Sequence, residues 1–204
     1  MTHPHPITAL LQEGVAEGVF PGAVLHVRRS GAVVCHQAVG RATYAADAPA
    51  VTTATLYDLA SLTKPLATTA AVLRLVQEGR IVLAQPVGAV LDELRAAPVG
   101  RATIEQLLAH AAGLPAWRPY YERMGRETEP DGSPVGRVRA ARLVLDWIAA
   151  EPLEGLPGRQ SLYSDLGFLL LGFLVERVAA ASLAADLGYD ALPAPGKPQA
   201  LVVA

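Results

Sequence analysis

Two side chains with complementary chemistry, Ser61 and Lys64, stand three positions apart in "LYDLASLTKPLATTAAVL", where an apolar helical pattern begins. That spacing sets both on one helical face, with the amine able to reach the hydroxyl. A helix N-terminus offers free N–H groups and a positive field, which favour an alkoxide or a tetrahedral oxyanion and lower the pKa of a nearby ammonium. A serine nucleophile with a lysine base needs these conditions. Lysine is scarce here: of 17 basic residues only Lys64 and Lys197 are Lys, the rest being Arg. Arginine stays protonated, whereas lysine can act as a base. With six Ser and two Lys in 204 residues, a chance pair at this spacing is rare. The bland alternative makes Ser61 a helix cap and Lys64 a solvated first-turn residue.

Further along, "PGRQSLYSDLGFLLLGFL" sets Tyr163 in a turn-rich stretch just before a strongly apolar segment. A phenol there can point into a cleft and shuttle a proton between a serine and a leaving group. Taken alone, Tyr163 reads more readily as an anchoring aromatic, with Ser164 or Asp165 as a helix N-cap.

The elements that must position these residues are legible in outline. A helical pattern over Thr8 to Glu17 is closed by Gly18, and the period then changes to two. "GAVLHVRRSGAVVCHQAVG" reads as strands Ala23 to Arg29 and Ala32 to Val39, reversed at Ser30-Gly31. A loop from Thr43 to Thr55 leads to a helix from about Leu62 to Glu78, with Pro65 tolerated in its first turn. Thr103 and Gln106 form a capping box for a short helix that stops before Gly113-Leu114-Pro115. A loop from Trp117 to Pro134 precedes helices over Gly136 to Ala150 and Ser164 to Ala181, the second apolar enough to be buried. The tail from Leu187 to Pro198 is rich in Pro and Gly. This is an α+β pattern, helices segregated from an antiparallel hairpin. A two-stranded hairpin is marginal alone and leaves an unpaired edge through which the chain is expected to self-associate.

A net charge of −2 and a pI near 6.2 give no footprint for a phosphate backbone, so no nucleic-acid partner is expected. No apolar run reaches a membrane span, and "MTHPHPITALLQEG" has neither a basic leader with an apolar run nor a cleavage site. Cys35 stands alone, so no intrachain disulfide can form, and a cytoplasmic protein is expected. His3, His5, His26, His36 and His110 show no ligand spacing, so neither a metal nor a cofactor is expected; His110 reads as capping or anchoring its helix end.

The sequence resembles the serine β-lactamase and penicillin-binding-protein-like superfamily, in the branch of class C β-lactamases, DD-peptidases and family VIII esterases. "SLTK" is similar to its Ser-x-x-Lys, "YSD" to its Tyr-x-Asn, "LLAHAAGLP" to its "LLTHTSGLP" segment, and "FPGAVLHVRRSGAVV" to its opening hairpin. The likeness runs from about Ile7 to Ala204. It implies a β-lactamase/transpeptidase-like fold: one incomplete domain over 1–204, with helix and hairpin at 8–55, a mostly helical part at 56–185 and a tail at 186–204. It also implies that Ser61 is the acylated nucleophile, with Lys64 and Tyr163 as a coupled base and acid, and that Asp165 binds substrate. The substrate is then a small-molecule ester or β-lactam.

Two departures shape that expectation. Asp165 stands where Asn is usual, and a carboxylate cannot donate as an amide can, which weakens the β-lactam and peptide readings more than the ester one. The family's third motif, Lys or His followed by Thr or Ser and Gly, is not found; "PGKPQA" lacks the residues and "HAAG" lies in the wrong segment. The later strands that would pair with the hairpin are not found either, and "LVVA" reads like a segment that continues. The expectation is therefore a first half of a longer serine hydrolase, of low solubility or activity alone unless another chain covers the edge. The alternative is an impaired or non-catalytic fragment acting as a binding or regulatory module.

Overall fold

A hairpin turn with two residues at positive φ, Ser30 at 48° and Gly31 at 82°, reverses the chain between β1 (Gly22–Arg29) and β2 (Ala32–Gly40). Such a turn matches the right-handed twist of its flanking strands. The strands are antiparallel, Arg29 facing Ala32 and Gly22 facing Gly40, with a bulge between Val27 and Arg28. The computed structural model describes residues 6–183; the Pro- and Gly-rich tail, Lys197, His3 and His5 lie outside the described residues. The chain divides into two compact units, Met1–Asp58 and Leu59–Ala204.

In the first unit α1 (Pro6–Ala16) packs against β2, where Thr8 Oγ1 donates to Gln37 Oε1. The period-two alternation puts Cys35 and Val39 on the buried face of β2. His26 and His36 face each other on the exposed side, ring centroids 4.7 Å apart. Among the described residues the sheet has these two strands only, as the pattern predicts.

The second unit is helical and holds the main core. Its entry differs from the single regular helix expected from Leu62 to Glu78. A 3₁₀ turn at Ala60–Leu62 is followed by a π-helical turn at Lys64–Thr69, and only then by α2 (Ala70–Gln77). Ala60 sits at φ 43°, and Pro65 has no N–H to give the first turn. The wider π turn directs Lys64, Ala67 and Thr68 inward, where all three are buried.

Three 3₁₀ turns, at Val87–Ala89, Asp92–Leu94 and Pro98–Arg101, precede α3 (Ile104–Leu108). The capping box is present in full: Gln106 N donates to Thr103 Oγ1 at 3.2 Å, and Thr103 N to Gln106 Oε1 at 3.0 Å. Within the expected loop after Trp117 the chain forms a short α4 (Tyr120–Met124). Then come α5 (Arg137–Ala149) and α6 (Asp165–Ala179).

The apolar run of α6 is the centre of the core. Leu166, Leu170, Leu171, Leu174 and Val175 are all sealed from solvent, packed with Leu75, Leu107 and Ile148 from α2, α3 and α5. Burying a side chain of this size contributes about 2 kcal/mol. At the other end of α6, Glu93 ties the 3₁₀ region to two helices, accepting from Arg177 at 2.8 Å and Arg142 at 3.5 Å. The Arg177 bond outweighs burial and holds the Glu93 carboxyl below its ordinary value of 4.5. A depressed carboxyl contributes stability that is present above the unfolded-state pKa and is lost as pH falls through the lower folded value. Glu93→Gln should therefore cost about 1 kcal/mol at neutral pH, allowing for screening of the half-exposed guanidiniums. Urea unfolding at a series of pH values checks this: the gap between the two proteins should close below pH 4.5.

Candidate active site

The segment before α6 is fixed by a second chain segment lying beside it. Glu154 N donates to Gly113 O and Gly158 N to Ala111 O, both at 2.8 Å; Leu162 N donates to His110 O at 2.8 Å, and Asp165 N to Ala116 O at 2.9 Å. Gly113 is required here: its φ is 75°, and a Cβ would lie 2.1 Å from Gly155 O. Ser164 caps α6, its Oγ accepting from Gly167 N at 3.3 Å while donating to Pro115 O at 2.7 Å. The capping role is thus taken by Ser164, which leaves the Asp165 carboxylate for other partners.

His110 brackets Tyr163 from both sides in sequence. Its carbonyl accepts the Leu162 N–H, and its Nδ1 accepts the Ser164 N–H at 3.0 Å. The imidazole lies 4.4 Å from the Tyr163 ring and 5.0 Å from that of Phe168, centroid to centroid. Burial, with Lys64 as a nearby positive charge, pushes the His110 pKa down, in keeping with an unprotonated Nδ1. Sequence reasoning assigned His110 only to its helix end. In the structure His110 also sits at a positive φ of 54°.

On this frame four polar residues that the sequence singled out meet around one amine. Lys64 Nζ is 3.3 Å from Ser61 Oγ and 2.7 Å from Asp165 Oδ1. Tyr163 lies beside the same amine, its phenol ring centroid 5.2 Å from Lys64 Nζ. The Phe168 ring closes the apolar side at 5.8 Å. Lys64 is 2% exposed, while Ser61 and Tyr163 are open to solvent and Asp165 is partly so. A nearly sealed amine thus touches an accessible hydroxyl and an accessible phenol.

The charge state of Lys64 corrects the sequence expectation. A helix N-terminus was expected to lower the pKa of this ammonium; burial does pull it down, but the hydrogen bond and charge of Asp165, with Tyr163, more than offset that. The pKa is left above its ordinary 10.5. The amine has polar partners in Ser61 and Asp165, with the Tyr163 ring beside it.

Among the described residues no group of three or more His, Cys, Asp or Glu is placed to hold a metal, and no helix is long and apolar enough to cross a membrane. With this geometry in view, comparison with known proteins is informative. A putative D-alanyl-D-alanine carboxypeptidase of Salmonella agona (strain SL483) is 31% identical over 193 residues, covering 88% of this chain and 42% of that protein. The chain thus spans less than half the length of the curated relatives it matches. Among solved structures, EstCE1, a hydrolase with promiscuous acyltransferase activity, superposes with a TM-score of 0.71 at 26% identity, covering 90% of this chain and 49% of that one. A class C β-lactamase from Rhodobacter sphaeroides gives 0.66 at 26% identity, with 89% and 46% covered. A family model described as Beta-lactamase matches residues 7–189. The fold, the order of its segments and these likenesses agree: the chain belongs to the beta-lactamase family, within the serine β-lactamase and penicillin-binding-protein superfamily.

Proposed function

We propose that the protein is a serine hydrolase that forms an acyl-enzyme on Ser61, with small-molecule esters as substrates. The observation that carries this reading is the single amine of Lys64, which bridges Ser61 Oγ at 3.3 Å and Asp165 Oδ1 at 2.7 Å beside Tyr163. Ser61 Oγ attacks the ester carbonyl carbon and gives up its proton to the Lys64 and Tyr163 pair. The tetrahedral adduct collapses as the C–O bond to the alcohol breaks, and that proton passes to the leaving oxygen. Water then attacks the acyl carbon, the acid departs, and the proton returns to Ser61.

Ester substrates follow from the carboxylate at 165. Alcohol departure needs one proton delivered, which Tyr163 beside Lys64 can supply. An amide at 165 could also donate a hydrogen bond to a substrate carbonyl, and a carboxylate cannot. The likeness to EstCE1, a hydrolase with promiscuous acyltransferase activity, supports acyl transfer as the reaction class.

Incubation with a fluorophosphonate, followed by mass spectrometry of wild type and Ser61→Ala, tests the acyl-enzyme. One adduct on the Ser61 peptide, absent from the variant, is expected. An unlabelled wild type, or equal labelling of the variant, would instead support a non-catalytic binding or regulatory module. For substrate class, a p-nitrophenyl ester should turn over faster than a chromogenic cephalosporin; the reverse order would refute the ester assignment.

A further inference from the structure

We infer, on the serine-hydrolase reading above, that Asp165 is a positioning residue that holds Lys64 in the ammonium form, so that acylation of Ser61 requires alkaline pH. The geometry is specific. Asp165 Oδ1 is 2.7 Å from Lys64 Nζ, a normal length for a charge-assisted bond, whereas Ser61 Oγ is at a longer 3.3 Å. Lys64 is 2% exposed, which leaves bulk water little access to its amine. The groups acting on it are Asp165, at the first position of α6, and Tyr163, in the segment before it; Lys64 acts in turn on His110. Of these, Asp165 is the carboxylate, and it forms the ion pair with the amine.

An ammonium with Ser61 Oγ as an acceptor donates to the nucleophile and has no lone pair to receive the serine proton. One proton must leave Lys64 before it can act as a base, and the carboxylate opposes that loss. An amide at the same position would accept the same hydrogen bond without the negative charge. Asp165 thus supplies two separable things, an acceptor and a charge.

Asp165→Asn keeps the acceptor and removes the charge; Asp165→Glu keeps the charge. With only Lys64 and Lys197 in the chain, a lysine-selective NMR titration contains two side-chain signals, assigned by Lys197→Arg. In Asp165→Asn the Lys64 signal should titrate about one to three pH units lower than in wild type, as loss of an opposite charge at this range predicts. The alkaline limb of fluorophosphonate acylation at Ser61 should move down with it, making the variant about tenfold or more faster at neutral pH. Asp165→Glu should restore both towards wild type. An unmoved Lys64 titration overturns the inference, and so does a titration that moves while the acylation limb stays in place. Absence of any Ser61 adduct, in every variant and at every pH, is a different result: it refutes the serine-hydrolase reading, and with it the requirement for alkaline pH, while the titration still reports whether Asp165 holds the proton.

Discussion

On the proposed acyl-enzyme mechanism, Lys64→Met should slow acylation of Ser61 by about a thousandfold, the middle of the range for removing a positioned general base or acid. Methionine matches the length of the lysine stem but carries no proton and no charge. Ser61 Oγ then loses its only hydrogen-bond partner among the polar groups of the site, and the proton it must shed has Tyr163 alone as its destination. The same substitution strands the Asp165 carboxylate, which had its strongest contact at 2.7 Å. Breaking one side of a buried ion pair is strongly destabilising. Because Asp165 is partly open to solvent, water takes up much of that loss, and a cost of about 1–2 kcal/mol is expected. The double substitution Lys64→Met with Asp165→Asn separates the two effects. Stability should recover, since an amide tolerates the loss of its charged partner better than a carboxylate does. The rate should not, since no base has been restored. Fluorophosphonate burst rates and urea midpoints on the three proteins measure both, and a Lys64→Met protein that acylates at the wild-type rate would remove Lys64 from the chemistry.

The Ser61 and Lys64 pair was legible because lysine is rare in this chain and because its spacing sets two side chains on one face. Its charge state was not. The helix-terminus field on which the expectation rested belongs to a regular α-helix, while the chain runs through a 3₁₀ and a π turn before α2 begins. The deciding partner is on another helix, and no local pattern shows that Asp165 turns towards Lys64 once Ser164 has taken the cap. His110 was hidden for a related reason. Its contribution is made through hydrogen bonds to the residues on either side of Tyr163, and pairing between distant segments leaves no periodic signal. Where local rules dominate, the reading and the structure agree: Thr103 and Gln106 close their box, and Ser30-Gly31 makes the turn. The 3₁₀ turns between Val87 and Arg101 fall between these cases, being too short for a helical period and held by close backbone approach, as at Gly88 beside Gly100.

Leu174→Ala should remove about 3–4 kcal/mol of stability, a large share of what a domain of ordinary stability possesses. Leu174 is fully buried on α6 within the cluster that joins α2, α3 and α5 to that helix, so truncation leaves a cavity whose walls are helices already packed on other sides. Such walls collapse only in part, which keeps the cost away from the low end of the range for this substitution. In urea the midpoint should fall with little change in slope, because the surface exposed on unfolding is nearly the same. Leu169, on the same helix but only partly buried, is the control, and its truncation should cost clearly less. The consequence for the site is a separable one. Asp165 lies about two and a half helical turns from Leu174 and is held there by Ser164, Ala116 and Lys64, none of which belongs to the apolar cluster around Leu174. Under conditions where the variant is folded, its acylation pH profile should therefore match wild type. A shifted profile would mean that the core of α6, and not the segment pairing before it, sets the distance between Asp165 and Lys64.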